Sequence, residues 1–415
     1  MTDLRAAAEE VLASNRRDGY TIPSPKLYPY QWNWDSGFVA IGLATVDPAA
    51  AKAELRSLFE GMWDTGMLPH IVFWDESAEG YFPGPTEWDV RTGGVATSGI
   101  TQPPIAVTAV REVFERTGDE AFRDALLPAL ETHLTWWVEE RSVDGDLVYV
   151  RHPWETGMDD SPPMDAALEE IDPGNPEYER EDLTDESATQ ERPTDWYYDR
   201  FVYLVRQGRA ADWDEAAIRE ECPFLVEDVL TNSLFVRACD DLAALYDSAG
   251  DDDRAAAWRE QAASSRERAR ERLWNDDLNN FVAYDRVNDR QLPGNSIAGL
   301  VSTFGDVPDA EQRERLLDNL RENFLPYAYA TPTYVGDGMD LDRYWRGPVW
   351  INTNWLLERG LRDVDAAIAD RIRRDSLSLL ESNGFQEYFN PETGDGRGSD
   401  RFSWSAALYL DWTSD

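Results

Sequence analysis

Amphipathic helical segments recur along almost the whole chain and constrain its fold more than any other feature. In segment 3–16, for example, Leu4, Ala8, Val11 and Leu12 fall on one face of a helix. Similar patterns predict helices over 3–16, 48–62, 103–117, 120–140, 196–207, 224–248, 253–274, 309–323, 347–359, 363–382 and 402–411. So many helices without regularly alternating strands predict an all-α fold.

The connections between these segments are long and rich in Gly, Pro, Trp and Asp. Helix bundles use short connections, so a ring of helical hairpins with its long loops at one end fits better. We therefore expect an (α/α) toroid with a pocket at the loop end, formed by residues 1–415 as a single domain. Strand patterns are few, and the best are 146–150 and 281–284.

The chain is strongly acidic, with a formal net charge of −42 at pH 7. Lys26 and Lys52 are the two lysines among 39 basic residues, which leaves 37 arginines. The electrostatic repulsion among so many acidic side chains is screened at molar salt. We interpret the composition as that of a salt-adapted cytoplasmic protein, although an acidic protein from a high-GC bacterium would share part of it. The charge argues against nucleic acid or an anionic membrane as a partner.

Several kinds of segment and site have no signature in the sequence. No apolar run reaches about 18 residues, so no membrane span is expected, and the N-terminus lacks the pattern of a secretory signal. The three histidines, His70, His133 and His152, and the two cysteines show no spacing typical of metal ligands. We predict no metal and no cofactor, while a carboxylate site for a hard cation stays open.

Two segments far apart in the chain each place a carboxylate among aromatic residues. They are WETGMDDSP at 154–162 and GFQEYFNP at 384–391. Hydrolysis of a glycosidic bond needs an acid for the leaving oxygen and a base for water. The pair therefore predicts a sugar-cleaving enzyme, although two unrelated acidic loops would also contain such segments. Spacing alone does not choose among Glu155, Asp159 and Asp160 as the acid.

The segment YPYQWNWDSGF at 28–38 is dense in aromatic residues. A plain core element would not need Gln31, Asn33 and Asp35 beside these rings, and so many rings on an open surface would favour aggregation. A sugar subsite explains both features, because the rings can stack on a sugar and Asp35 can accept hydrogen bonds from hydroxyls.

Two more segments combine aromatic or polar residues with a predicted helix start. RYWRGPVWINTNW at 343–355 enters its helix after a Gly-Pro pair, and we expect Trp355 to be a core residue. In SGITQPP at 98–104, Gln102 suits a hydrogen bond to a substrate hydroxyl and suits a helix start equally well.

Residues 164–192 form an unusual connection that contains eleven Asp and Glu residues. Long loops in compact domains are often either functional or solvated excursions. We therefore hold two interpretations: a lid that follows the candidate acid Asp159, and a solvated acidic loop.

These segments, in this order, resemble glycoside hydrolase family 63, and most of all its compact mannosylglycerate and glucosylglycerate hydrolases. The matching stretches are YPYQWNWDSGF, TSGITQPP, WETGMDDSP, RPTDWYYDR, YWRGPVWINTNW, GFQEYFNP and FSWSAAL, which span about residues 28–408. The resemblance implies an (α/α)6 barrel and an inverting mechanism, with Asp159 as general acid and Glu387 as general base.

The same resemblance implies two groups of substrate-binding residues. Trp32, Trp34, Asp35, Trp154 and Trp350 match positions around the cleaved sugar, and Tyr28, Gln102, Arg192, Tyr198, Tyr344 and Trp345 match positions near the aglycone. Arg192 stands out because a guanidinium among phenols suits the carboxylate of glycerate. A salt bridge to the acidic segment is its alternative role.

The leading functional hypothesis is an inverting exo-α-glycosidase that acts on a small α-glucoside or α-mannoside such as glucosylglycerate. A second hypothesis keeps the fold and changes the substrate to trehalose or short α-glucans. A third is a sugar-binding protein without catalysis. A fourth, an epimerase or lyase, would need histidine in the pocket, and the three histidines lie outside the motifs.

Overall fold

The computed structural model describes residues 4–77, 81–183 and 190–414. Within these ranges, twelve helices alternate along the chain between an outer and an inner position. They are α1 (Leu4–Asn15), α2 (Asn33–Leu43), α3 (Pro48–Glu60), α4 (Ile105–Thr117), α5 (Glu120–Glu140), α6 (Val229–Ala249), α7 (Asp252–Arg272), α8 (Ile297–Val301, continued by a 3-10 turn over Ser302–Gly305), α9 (Ala310–Asn319), α10 (Ile351–Leu361), α11 (Ala366–Asn383) and α12 (Ser403–Thr413). The predicted all-α class is confirmed.

The even-numbered helices form a closed inner ring. Each contacts the next, from α2 through α4, α6, α8 and α10 to α12, and α12 packs back against α2. Every residue of α2 is buried, as expected for a helix that is apolar nearly all round. The last contact is close: a Cβ on Gly42 of α2 would overlap the backbone of Ala407 on α12. The expected toroid is therefore present.

Loop lengths place the long connections at one end of this ring. Each inner helix passes to the outer helix after it through a turn of two to four residues, such as 118–119 and 250–251. Each outer helix returns to the next inner helix through a longer segment, the longest being 141–228. The long segments therefore all meet at the N-terminal ends of the inner helices.

Many of these helices begin after an aspartate N-cap. An Asp side chain accepts a hydrogen bond from a backbone N–H of the first turn in α3, α5, α6, α7, α9 and α11. Such N-caps satisfy donors that the helix itself leaves free. They explain why a chain so rich in Asp can still form long helices.

Small elements occupy the connections. Further helices span Pro85–Trp88, Asp165–Glu169, Asp195–Ala210 and Glu215–Glu221, and 3-10 turns span Pro153–Thr156, Pro162–Met164 and Tyr344–Arg346. The strands are β1 (Gln31–Trp32), β2 (Ile71–Phe73), β3 (Arg91–Thr92), β4 (Val95–Thr97), β5 (Val226–Glu227), β6 (Trp274–Asn275), β7 (Asn280–Phe281), β8 (Ala283–Asp285), β9 (Arg290–Leu292), β10 (Asn295–Ser296), β11 (Tyr334–Val335), β12 (Tyr388–Phe389) and β13 (Gly396–Arg397). They pair antiparallel as β1-β2-β4-β3, β5-β8-β9, β6-β7, β10-β11 and β12-β13.

Two strand predictions were wrong, and the ring helices α2 and α8 were missed. Helix α2 was not predicted, because its buried residues show no 3.6-residue alternation. Segment 146–150 is not a strand; Val148 and Val150 form isolated bridges to Ser142 and Val226. Segment 281–284 is divided between two short strands rather than forming one. No helix in the described ranges is both long and apolar enough to cross a membrane.

Candidate active site

A pocket opens at the N-terminal ends of the inner helices. Trp34 and Asp35 lie in the first turn of α2, Gln102 lies just before α4, Trp350 directly precedes α10, and Trp404 lies in the first turn of α12. The volume of the pocket, including its mouth, is about 790 Å³. All the site residues proposed from the sequence line it: Tyr28, Trp32, Trp34, Asp35, Gln102, Trp154, Asp159, Arg192, Tyr198, Tyr344, Trp345, Trp350 and Glu387.

Of the three candidate acids in the first carboxylate segment, Glu155 is fully engaged away from the pocket. Its carboxylate accepts two hydrogen bonds from the guanidinium of Arg141, at 2.8 and 2.9 Å, and others from the backbone N–H groups of Thr101 and Arg151. Burial by itself would raise its pKa, but Arg141 and then Arg151 outweigh that effect and hold the pKa at about 2. Glu155 is therefore a permanent anion that ties its loop to the segment before Gln102.

Asp160 is also engaged. Its two carboxylate oxygens accept hydrogen bonds from the guanidinium of Arg343 at 2.8 and 2.9 Å, and Arg346 lies 3.7 Å away. The side chain is fully buried and does not line the pocket. Its bidentate ion pair instead fixes the loop that carries Asp159 to the segment before α10.

Asp159 is the carboxyl of this segment that faces the pocket. Burial raises its pKa to about 8, and the adjacent Asp160 carboxylate and the more distant Glu387 add to the effect. The side chain is therefore mostly protonated at neutral pH, which is the state a general acid needs. The geometry thus separates three carboxyls that spacing alone left equivalent.

Glu387 faces the same pocket with both oxygens held. Oε1 accepts a hydrogen bond from the Tyr28 hydroxyl at 2.7 Å, and Oε2 accepts one from the Ser399 backbone N–H at 2.8 Å. The guanidinium of Arg192 lies 3.5 Å from Oε2. Gly398 permits the close backbone approach, because its φ is +68° and a Cβ there would overlap Oε2.

Asp35 brings a third carboxyl to the pocket. It is buried, and its Oδ1 has no hydrogen-bond partner among the described residues. Burial raises its pKa well above the usual value, and the charge of Glu387 acts in the same direction. A buried carboxyl oxygen without a protein partner is costly, and a bound hydroxyl group would supply the missing partner of Oδ1.

Aromatic rings form most of the pocket wall. Trp345 and Trp350 stack face to face, with centroids 3.7 Å apart and planes 8° apart. Trp34 lies edge-on to Trp404 at 5.4 Å. Trp355, in contrast, is fully buried away from the pocket and donates to Asp411 from its indole nitrogen at 2.8 Å. Its predicted role as a core residue is confirmed.

The two polar side chains assigned to the aglycone side are both oriented by the protein. Gln102 accepts a hydrogen bond at Oε1 from the Trp34 backbone N–H, at 3.1 Å, which leaves its NH2 group as a donor for the pocket. Arg192 lies between the rings of Tyr28 and Tyr344, with its guanidinium carbon 5.4 and 5.0 Å from their centroids.

Among the described residues, Arg192 forms its ion pair with Glu387. The alternative role of Arg192, a salt bridge to the acidic segment, is not seen there. Asp182 of that segment pairs instead with Arg180, at 2.6 Å. Asp185 and Glu186 lie outside the described residues.

Part of the acidic segment borders the pocket. Asp182 is one of the lining residues, and the Arg180 guanidinium lies 3.7 Å above the ring of Tyr198. Tyr178 stacks on Phe82, with centroids 5.6 Å apart. This portion therefore packs against pocket residues, while residues 184–189 lie outside the described ranges and the lid role stays a prediction.

Sequence reasoning missed several lining residues. They are Pro23, Leu27, His70, Tyr81, Phe82, Gly157, Asp182, Pro193, Phe402 and Trp404. Gly157, Pro193, Phe402 and Trp404 belong to motifs already recognised, so the motifs could have indicated them. His70 and Tyr81 belong to no motif, and only the pairing of β2 with β1 brings His70 beside Trp32.

His70 therefore lines the pocket although it lies outside every motif, as expected from the sequence. Burial lowers its pKa well below the usual value, and the nearby His152 adds to this effect, so its ring is neutral. The ring lies edge-on to Trp32 at 4.5 Å, and Nδ1 has no partner among the described residues. A group of three or more His, Cys, Asp or Glu side chains able to hold a metal ion is absent from the described residues.

Comparison with known proteins identifies the family. The model of the mannosylglycerate hydrolase MGH1-like glycoside hydrolase domain matches residues 28–405. The mannosylglycerate hydrolase of Rubrobacter radiotolerans is 40% identical over 99% of this chain and 96% of its own length. The glucosylglycerate hydrolase of Mycolicibacterium hassiacum is 33% identical over 99% and 98%.

A solved structure agrees with these matches. It is the GH63 mannosylglycerate hydrolase of Thermus thermophilus in complex with Tris and D-glycerate, which superposes with a TM-score of 0.92 at 39% identity and covers 99% of this chain and 100% of that one. The closed ring of paired helices is therefore the (α/α)6 barrel of the GH63 hydrolases. The chain belongs to the MGH1-like glycoside hydrolases of family GH63.

Proposed function

We propose that this chain is an inverting exo-α-glycosidase that hydrolyses a glycerate glycoside, either mannosylglycerate or glucosylglycerate. The observation that carries the proposal is that the buried carboxyls differ in their contacts and in whether they face the pocket. Asp159 faces the aromatic pocket with a raised pKa, whereas Glu155 and Asp160 do not line it and are engaged by arginines. Glu387 faces the same pocket beside Arg192 and accepts from Tyr28.

In the proposed reaction, Asp159 gives its proton to the glycosidic oxygen as the bond from that oxygen to the anomeric carbon breaks. A water on the opposite face of the sugar attacks the anomeric carbon, and Glu387 takes the proton that this water loses. The oxygen–carbon bond therefore forms on the face opposite to the one that breaks, and the configuration inverts. The products are a free sugar and glycerate.

The aromatic wall and Asp35 would hold the sugar. Tryptophan faces can stack on the C–H surface of a sugar ring, and the unpartnered Oδ1 of Asp35 would accept a hydrogen bond from a sugar hydroxyl. The hydroxyls of the sugar move as its ring flattens towards the transition state. Hydrogen bonds from these hydroxyls to Asp35 that strengthen during this change would stabilise the transition state. Trp32, Trp34, Trp154 and Trp350 are the rings that we assign to this subsite.

Arg192 supports a carboxylate-bearing aglycone. Its guanidinium carries five N–H donors, of which one on Nη1 contacts Tyr28 and one on Nη2 contacts Glu387. The remaining donors would bind the glycerate carboxylate, with Tyr28 and Tyr344 on either side. The names of the mannosylglycerate and glucosylglycerate hydrolases, and the D-glycerate bound in the Thermus relative, favour the same aglycone.

The test is hydrolysis of a substrate panel by the purified protein in molar KCl. Mannosylglycerate, glucosylglycerate, their glycerol counterparts, trehalose and maltose are each incubated with enzyme, and free sugar is measured. We expect sugar from a glycerate glycoside, with Asp159→Asn and Glu387→Gln each slower by orders of magnitude and unchanged in circular dichroism. Hydrolysis of trehalose or maltose alone would replace the substrate assignment, and ordinary activity in either variant would remove the mechanism.

A matched variant tests the aglycone assignment. Arg192→Ala should weaken kcat/KM for the glycerate glycosides more than for their glycerol counterparts, because only the former carry a carboxylate. Arg254, an exposed arginine on α7, provides the control as Arg254→Ala. Equal losses on charged and neutral substrates in Arg192→Ala would refute the carboxylate contact.

A further inference from the structure

A cation, Arg192, lies against the proposed base, Glu387. Arg192 donates from Nη1 to the Tyr28 hydroxyl at 2.5 Å, and Tyr28 donates in turn to Glu387 Oε1 at 2.7 Å. The second guanidinium nitrogen, Nη2, lies 3.5 Å from Glu387 Oε2. Arg192 therefore reaches both carboxylate oxygens, one directly and one through a phenol.

The other groups around Glu387 show why this cation matters. The anionic or ionisable groups whose charges interact with Glu387 are Asp35, Asp159, Glu191, Tyr28, Tyr344 and Tyr388. Ser399 adds a backbone N–H donor. Burial, first of all, raises the pKa of Tyr28 well above its usual value, so its hydroxyl keeps the proton that it donates. Arg192 supplies the positive charge in direct contact with Glu387.

A nearby cation and hydrogen-bond donors both stabilise a carboxylate in its ionised form. The same contacts occupy both oxygens of Glu387, and a general base needs an oxygen free to accept from water. Arg192 and Tyr28 therefore oppose the step that Glu387 has to perform. An anion bound to Arg192 would compensate its charge and weaken this opposition.

We propose that the aglycone carboxylate activates the base: when it pairs with Arg192, it releases Glu387 to take a proton from water. The inference rests on the proposed function, because it uses the same base and the same carboxylate subsite. It adds that Arg192 links aglycone recognition to turnover, so that a glycerate glycoside is favoured in kcat and not in KM alone.

A substrate without an aglycone separates the two roles. In an α-mannosyl or α-glucosyl fluoride, water forms its bond to the anomeric carbon, the carbon–fluorine bond breaks, Glu387 takes the proton of the water, and fluoride leaves. The aglycone subsite then stays free for D-glycerate added in trans. The assay measures fluoride release at saturating glycosyl fluoride with increasing D-glycerate, and with glycerol and KCl as neutral and ionic controls.

We expect D-glycerate to raise kcat for the fluoride by roughly two- to tenfold, which corresponds to about 0.4–1.4 kcal/mol of charge compensation. Glycerol and extra KCl should have no such effect. The rise should disappear in Arg192→Ala and persist in the control Arg254→Ala, whose arginine lies on the outer helix α7.

An unchanged or reduced kcat with D-glycerate would overturn the inference, and so would a rise that persists in Arg192→Ala. If glycerate glycosides are hydrolysed while the fluoride shows no activation, or is not turned over at all, this inference fails and the proposed function stands. If neither glycerate glycosides nor glycosyl fluorides are hydrolysed, the proposed function fails as well.

Discussion

Replacing Asp159 with Asn should make the protein more stable while it removes activity. The pKa of Asp159 is raised from 3.8 to about 8, first by burial and then by the Asp160 carboxylate. The folded state therefore binds a proton at this site more tightly than the unfolded chain does. The stability that Asp159 contributes is fully present below about pH 4 and is lost as the pH rises towards about 8.

The size of the effect follows from the two pKa values. Each unit of difference corresponds to about 1.4 kcal/mol. Ionisation of Asp159 in the unfolded chain, while the folded state keeps its proton, therefore lowers the free energy of unfolding by about 1.6 kcal/mol at pH 5 and about 4 kcal/mol at pH 7. Asparagine has nearly the shape of a protonated Asp and carries no charge at any of these pH values. Asp159→Asn should recover most of this free energy, and more of it at higher pH.

Denaturant unfolding in molar KCl at pH 5, 7 and 8 measures this gain. The exposed Asp277, in the turn between β6 and β7, provides the control as Asp277→Asn, since such surface changes usually stay within about 0.5 kcal/mol. A gain for Asp159→Asn that does not grow between pH 5 and pH 7, or a loss of stability at pH 7, would refute the raised pKa and with it the acid assignment.

Three further predictions follow from the same contacts. The kcat/KM for a glycerate glycoside should fall about tenfold per pH unit above about pH 8, as Asp159 loses its proton; a flat profile to pH 10 would contradict this. Glu155→Gln should destabilise the fold by about 3 kcal/mol in denaturant unfolding, because it leaves Arg141 buried without its main anion; a change below about 0.5 kcal/mol would contradict this. Gly398→Ala should lower kcat by about 100-fold by displacing Glu387, whereas Gly250→Ala, with a similar positive φ and open space around it, should leave kcat unchanged; equal activities would contradict this.

The helices show what the sequence could and could not predict. Outer helices such as α1 and α11 bury one face, so their 3.6-residue pattern was visible. Helix α2 is buried on every side, and no periodicity distinguished it from an aromatic loop. The ring itself could be expected from long connections, but its closure depends on the contact of α2 with α12, at opposite ends of the chain.

The site could be predicted where motifs carried it. All the residues assigned through the resemblance to family 63 line one pocket. The choice among Glu155, Asp159 and Asp160 needed coordinates, because it depends on contacts with Arg141, 14 residues before Glu155, and with Arg343, 183 residues after Asp160. His70 was missed for a similar reason, since strand pairing rather than a motif brings it to the wall.

The first anomer released tests the central claim most directly, namely that Asp159 and Glu387 act from opposite faces of one bound sugar. Proton NMR during the first minutes of hydrolysis of an α-glycoside distinguishes the two anomers before mutarotation mixes them. We expect the β-anomer of the sugar to appear first, because water attacks the face opposite to the leaving glycerate. Initial appearance of the α-anomer would contradict the inverting pair of Asp159 and Glu387.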